Sequence, residues 1–329
     1  MFFLGVDGGG TKTKFALIDD RLKIRSTFET TTSHIAQVGI EGVVRVLQEG
    51  LKSVLFEEGV CKEEIKYAVL GMPGYTEVKA NDIQIERAVK EVFGFTNYHI
   101  VNDAEVGWAG ALACQPGINI VAGTGSIAFG VDEEGRRERI GGWGEFIGDE
   151  GSAYWIAKKT LEVYSKQKDG RLPKTVLVDI IDEKYGIKDK FEIIDIMHNR
   201  FKLKRDKIAE LSLYTFEAAQ KGCRYSAEIF EKAAYELFLH VEGLMKKMRF
   251  SKPILVSYVG GVFKAEELIL QPLRTFLGQL GDEILLIPPR MEPCFGAAYY
   301  AYLRYKNLRA EESLTEKLLK EIAKYSEKN

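Results

Sequence analysis

The sequence predicts an α/β protein built from two similarly folded halves. Three observations lead there. At 329 residues the chain is about twice the length of an ordinary domain. A strand, a turn of glycine and threonine, and a second strand occur at residues 2–18 and again at 118–131. Strand-like and helix-like segments alternate through the first half, and helical periodicity then dominates from 152 to 247, as where helices cover a sheet.

Phe2–Val6 and Lys14–Ile18 are apolar runs on either side of a glycine-rich turn, and with Leu22–Phe28 they predict an antiparallel meander. Val43–Leu55 has helical apolar spacing, Tyr67–Leu70 reads as a strand, Arg87–Phe93 as a helix and His99–Val101 as a strand. Ala104–Ala113 is a helix rich in small residues. The pattern then restarts with strands at Ile118–Ala122 and Ile127–Val131 around the turn Gly123–Ser126. Arg205–Lys221 and Tyr225–Lys247 are long helices, and Pro253–Val259 and Glu283–Ile287 return to strand. Leu314, Leu318, Ile322 and Tyr325 mark one face of an amphipathic final helix.

The composition, 46% apolar and 29% charged, is that of an ordinary globular protein. A net charge of -2 argues against nucleic acid as the main partner. The four cysteines, Cys61, Cys114, Cys223 and Cys294, are scattered without metal-ligand spacing, which suits a reducing cytoplasm better than disulfides or a cluster. Asp7 and three glycines interrupt the initial apolar run too soon for a signal peptide. No apolar stretch is long enough to span a bilayer, so a cytoplasmic protein without a membrane partner is expected.

The chemistry concentrates in the turns. Asp7-Gly8-Gly9-Gly10-Thr11-Lys12-Thr13 is neither a Walker A loop, since Gly10 and Lys12 are not adjacent, nor a dinucleotide fingerprint, since a strand follows it. Glycines without Cβ let backbone N–H groups approach an anion, Thr11 and Thr13 add hydroxyl donors, and Asp7 can hold Mg2+ through water. A tight hairpin with a solvated aspartate is the plainer alternative, and the complete run of residues outweighs it. Gly123-Thr124-Gly125-Ser126 repeats the arrangement, and Val259-Gly260-Gly261-Val262-Phe263-Lys264 supplies a third turn that a nucleobase or ribose could lie against.

In this order the three turns resemble the phosphate-one, phosphate-two and adenosine motifs of the actin-like ATPase superfamily. The resemblance implies two ribonuclease H-like domains with a cleft between them. The first covers 1–110, joined by the C-terminal helix 309–327, and the second covers 111–308 with a helical insertion. It implies ATP and Mg2+, with Gly8, Gly9, Gly10, Thr11, Lys12, Thr13, Thr124, Gly125, Gly260, Gly261 and Lys264 on the nucleotide and Asp7 on the metal. Asn102-Asp103-Ala104-Glu105 resembles the first connecting segment of the sugar kinases of this superfamily, which makes Asp103 the base that deprotonates a sugar hydroxyl. Glu292–Ala298 resembles the start of the second connecting helix.

The segment Gly141–Ala157, with its Gly-Trp-Gly and Gly-Asp-Glu-Gly-Ser elements, looks like the sugar loop of N-acetylglucosamine kinases in the BadF/BadG/BcrA/BcrD ATPase family. That resemblance places Ser33, His34, Asp103, Ser126, Gly142, Trp143, Gly144 and Asp149 at a small-molecule sugar, phosphorylated at its 6-hydroxyl, and implies a homodimer. From the residues alone, Asp149 could instead cap a helix. Ser33-His34 replaces the Asn-His common in the family, and Gly71-Met72-Pro73-Gly74 lacks a serine found in some relatives, two departures that bear on the choice of sugar. The alternative from the same family is an ATP-driven activator of a 2-hydroxyacyl-CoA dehydratase or benzoyl-CoA reductase type system. Those proteins hold an iron–sulfur cluster with closely placed cysteines, an arrangement nothing here resembles. A sugar-sensing repressor would need a DNA-binding extension, which the sequence does not show.

Overall fold

The computed structural model describes residues 1–56, 58–281 and 283–327. They form two compact units, Met1–Asn119 with Pro288–Asn329, and Ile120–Ile287. In the first unit the order is β1 (Phe2–Gly8), β2 (Lys12–Asp19), β3 (Ile24–Thr31), α1 (Ile35–Phe56), β4 (Ile65–Met72), α2 (Lys79–Phe93), β5 (Asn97–Asn102) and α3 (Asp103–Ala111). The sheet runs β3-β2-β1-β4-β5. The first three strands are the expected antiparallel meander, and β1, β4 and β5 run parallel.

Burial of β1 on both faces explains why its sequence is a continuous apolar run instead of an alternating one. Leu4 and Val6 join Phe15, Leu17, Leu70 and Met72 in a core closed by Val43 and Leu47 of α1 and Ile85 and Val89 of α2. Phe3 and Gly5 point the other way, onto the helix Pro293–Lys306. Phe3 meets Tyr302 edge to face at 5.3 Å. A Cβ at Gly5 would run into the backbone of Cys294 and Ala298. The sequence places 293–306 with the second domain, whereas in the structure this helix covers β1 of the first unit. The amphipathic helix Glu312–Ser326 forms as its periodicity predicts, with Leu318 fully buried.

From β6 (Gly117–Ala122), whose last three residues begin the second unit, the chain continues through β7 (Ser126–Val131), β8 (Arg137–Gly141), α4 (Ala153–Lys168), further helices to Lys247, and β9 (Ile254–Val259) and β10 (Ile284–Ile287). The sheet order is β10-β9-β6-β7-β8. Counted from its own first strand this is 3-2-1-4-5 again, so the repeat visible as one strand–turn–strand element extends to the whole sheet. β8 has no clear sequence signal. It is an edge strand, Arg-Glu-Arg-Ile-Gly, with little need of apolar residues. The helix expected over Arg205–Lys221 is divided into Arg205–Ala209 and Leu211–Gln220. At the division the Leu213 N–H bonds the Glu210 carbonyl three residues back, a tightened turn that ends one ladder and starts the next.

Candidate active site

The β1–β2 hairpin closes through the Gly9 N–H on the Lys12 carbonyl, 2.9 Å. Asp7 sits opposite Lys14 in the hairpin and beside Gly71 of β4. The first glycine turn is stitched to the next loop by side chains. Thr32 Oγ1 donates to the Gly9 carbonyl at 2.8 Å, and the Gln37 amide donates to the Gly10 carbonyl at 3.0 Å. The same loop brings in Ser33 and His34. Ser33 is buried against Gly8, where a Cβ would come within 2.5 Å of its Oγ. His34 Nδ1 accepts from the Ala36 N–H at 3.2 Å, which leaves Nε2 as its other hydrogen-bonding atom. Thr13 Oγ1 and Ser33 Oγ are buried without a partner among the described residues, so two hydroxyls remain in reserve beside the turn. Lys12 instead extends to Glu29 at 2.9 Å, and Lys14 lies against Glu292 at 2.5 Å.

Asp103 begins α3. Asn102 caps that helix, accepting from the Ala104 N–H at 3.0 Å while donating to the Tyr75 carbonyl at 2.7 Å. Burial pushes the Asp103 carboxyl up to about 7, and the negative charges of Asp7 and Glu77 add to the shift, against the Ala104 N–H that stabilises its anion. Burial likewise raises Asp7 to about 6, with Lys14 opposing and Glu292 assisting. The first unit therefore holds two mutually repelling carboxylates beside a glycine turn, one of them poised to exchange a proton near neutrality. A single carboxylate acting through water suits Mg2+, which keeps much of its hydration and takes its other ligands from phosphate. Asp7 fits that need.

In the second unit the turn Gly123–Ser126 and the loop 141–152 are bonded to each other. Ser126 Oγ donates to the Glu150 carbonyl at 2.6 Å, the Gly142 N–H donates to the Ser126 carbonyl at 2.9 Å, and the Ala153 N–H donates to the Gly123 carbonyl at 2.8 Å. Ser126, Gly142 and Asp149 are thus brought together. Ser152, not Asp149, caps α4, accepting from the Trp155 N–H at 3.1 Å. Asp149 lies three residues earlier with φ at +59° and is buried, its carboxylate ion-paired to Arg205 and accepting from the Ser126 N–H at 3.4 Å. Burial raises its pKa and Arg205 works against the rise. Trp143, by contrast, is 71% exposed.

The third turn lies against the second. Gly260 adopts φ +114°, and a Cβ there would strike the Ala122 carbonyl and come 3.0 Å from the Gly123 nitrogen. Thr124, Gly125, Gly260 and Gly261 therefore share one neighbourhood, with Lys264 exposed on the short turn Gly261–Ala265. Gly260→Ala is expected to weaken ATP binding roughly tenfold or more and to lower the melting temperature, because both the backbone angle and the space exclude a methyl group. Calorimetric titration with ATP and a melting curve measure the two effects, and an unchanged ATP affinity would separate this turn from the nucleotide.

Arg205, Gln37 and Tyr75 are the neighbours that motif reading missed. None belongs to a recurring run of residues. Arg205 reaches Asp149 from a helix 56 positions further along the chain.

Residues 4–301 match the sequence profile of the BadF/BadG/BcrA/BcrD ATPase family. The N-acetylmuramic acid/N-acetylglucosamine kinase of Clostridium acetobutylicum is 32% identical, the alignment covering 91% of this chain and 98% of the relative. The N-acetyl-D-glucosamine kinase of Dictyostelium discoideum is 30% identical over 91% of this chain and 97% of its own. A Chromobacterium violaceum structure, provisionally assigned as an N-acetylglucosamine kinase, superposes with a TM-score of 0.75 at 21% identity, covering 92% and 98% of the two chains.

Proposed function

Because this chain belongs to the BadF/BadG/BcrA/BcrD ATPase family, we propose that it phosphorylates N-acetylglucosamine, or a closely related amino sugar or hexose, at the 6-hydroxyl. ATP-dependent phosphorylation of a sugar is the activity that family membership and the two kinase relatives support. The observation that favours a role for Asp103 as base is its environment. A carboxylate half-buried beside a second carboxylate, with its pKa raised to about 7, takes up a hydroxyl proton more readily than an ordinary aspartate.

In the proposed mechanism Asp103 accepts the proton of the 6-hydroxyl as its oxygen attacks the γ-phosphorus. Asp7 would hold Mg2+ through water, and the ion, when bound, would neutralise phosphate charge. In the first unit the N–H groups of the turn Gly8–Thr13, with the unpartnered Thr13 hydroxyl, would bind phosphate. In the second unit Thr124 and Gly125 would do the same, and Gly260, Gly261 and Lys264 would lie along the adenosine. Asp149, Gly142, Gly144 and Ser126 would hold sugar hydroxyls, with Ser33 and His34 as further sugar contacts. The transition state of phosphoryl transfer is loose and highly charged, so positioning and charge neutralisation supply most of the rate.

The test is a coupled ATPase assay with N-acetylglucosamine, glucosamine, N-acetylmuramic acid and glucose, followed by NMR of the product. A 6-phosphate of an amino sugar is expected, and ATP turnover independent of all four sugars would overturn the reading. The family leads us to expect a homodimer, which light scattering measures. The unpaired thiols suit a reducing compartment such as the cytoplasm.

A further inference from the structure

We propose that Arg205 is the positioning residue of the sugar subsite, holding the Asp149 carboxylate charged and aimed while packing its guanidinium against the second phosphate turn. The inference rests on the reading above in which Asp149 binds sugar hydroxyls.

Four observations within the second unit converge on Arg205. Asp149 is 3% exposed, and a carboxylate at that depth stays charged only when paired and hydrogen-bonded. The groups facing it are the Arg205 guanidinium, the Ser126 N–H at 3.4 Å, and the carboxylates of Glu145 and Glu150, which repel it. Arg205 is therefore the one cation among them, and its other terminal nitrogen lies 3.6 Å from Glu145. The backbone at Asp149, with φ +59°, fixes where the side chain leaves the chain but not where its oxygens point. A single charge-assisted contact from one guanidinium nitrogen to one carboxylate oxygen holds that oxygen in place.

The guanidinium also touches the phosphate turn. A Cβ on Gly125 would collide with the same terminal nitrogen of Arg205 that pairs with Asp149, and would come 3.0 and 3.1 Å from the two Asp149 oxygens. The absence of a side chain at Gly125 is what lets the turn, the cation and the carboxylate meet. Arg205 Nε is buried without a partner among the described residues, so the side chain meets Asp149 and Glu145 through its two terminal nitrogens alone. One arginine thereby ties the orientation of the sugar aspartate to the turn proposed for phosphate.

The consequence is a specific pH signature. Burial already raises the Asp149 pKa, and Arg205 is the main influence lowering it. Replacing Arg205 with a neutral residue lets Asp149 take up a proton at higher pH, which converts an acceptor of sugar hydroxyls into a donor. Across pH 6.5–8.5 the wild-type sugar KM is expected to depend less steeply on pH than that of a variant lacking the Arg205 charge. In Arg205→Gln the sugar KM should rise about tenfold or more, with the loss greatest at the acid end of that range and smaller as rising pH favours the Asp149 anion, and the ATP KM should move less than about threefold. Arg205→Lys keeps the charge and should retain most of the sugar affinity with a flat profile.

Steady-state kinetics of both variants across that range, with melting curves alongside, decide the matter. Equal, pH-independent losses in the Gln and Lys variants, accompanied by lower melting temperatures, would reduce Arg205 to a structural element and overturn the proposal. An unchanged sugar KM in Arg205→Gln would overturn it as well. The underlying sugar reading fails separately, through Asp149→Asn. Asparagine tolerates the left-handed backbone and matches the shape, so an unchanged sugar KM in that variant would remove Asp149 from the sugar site whatever Arg205 does.

Discussion

Asp103→Asn is expected to cut turnover by about 10²–10⁴-fold and yet to raise the melting temperature at neutral pH. The loss follows from removing a proton acceptor while keeping its shape. The gain in stability follows from the same burial that tunes the group. An aspartate with an ordinary pKa near 3.8 that is raised to about 7 on folding binds more protons in the folded state between those values. Stability therefore falls as pH rises through that window, and the full deficit is present above about 7. Asparagine has no charge to bury, so the variant should melt a few degrees higher at pH 8 and together with the wild type near pH 4. In the wild type, kcat/KM should climb with pH and level off above about 7, since the base acts in its ionised form. A variant that retained near-normal turnover would remove Asp103 from the mechanism.

Asp7→Asn is expected to weaken ATP binding in the presence of magnesium by about ten- to a hundredfold, the loss of about 1.5–3 kcal/mol that goes with a charged hydrogen-bonding partner. Binding of ATP without magnesium should change far less. A second effect distinguishes this site from a generic carboxylate. Asp7 is the neighbouring charge that contributes most to raising Asp103, so its removal should move the midpoint of the pH–rate profile below that of the wild type. Calorimetry with and without magnesium measures the first effect, and the pH–rate profile the second. Normal affinity in both titrations would show that the nucleotide site had been misassigned.

The antiparallel meander, the restart at residue 118 and most helices were legible because each has its own apolar period or a glycine turn at a strand end. The edge strand β8 was not, since an edge has little apolar surface to bury. The candidate site was legible where the chemistry proposed for it is local. Asp7, the glycine turns and the Asn102-Asp103 pair lie in short runs whose backbone geometry is set by their own residues. Arg205 was not legible, because its relation to Asp149 exists only after the helices 153–247 have folded. The capping question at Asp149 was open in the sequence and closed by geometry. Ser152 has the N-cap position and the bond to Trp155, which leaves the aspartate with no capping duty.

The cover on β1 also sets an order of events during synthesis. Phe3 and Gly5 leave the ribosome about 290 residues before the helix Pro293–Lys306 that seals their face. At about 5–20 residues per second the two are separated by roughly 15–60 s. By residue 287 the second unit, a continuous stretch from Ile120 to Ile287, has every strand of its own sheet, whereas the first unit, with all its strands made far earlier, still lacks one wall. A nascent chain halted at residue 287 would present the Phe3–Gly5 face bare, which makes the first unit the later to mature although its sequence comes first.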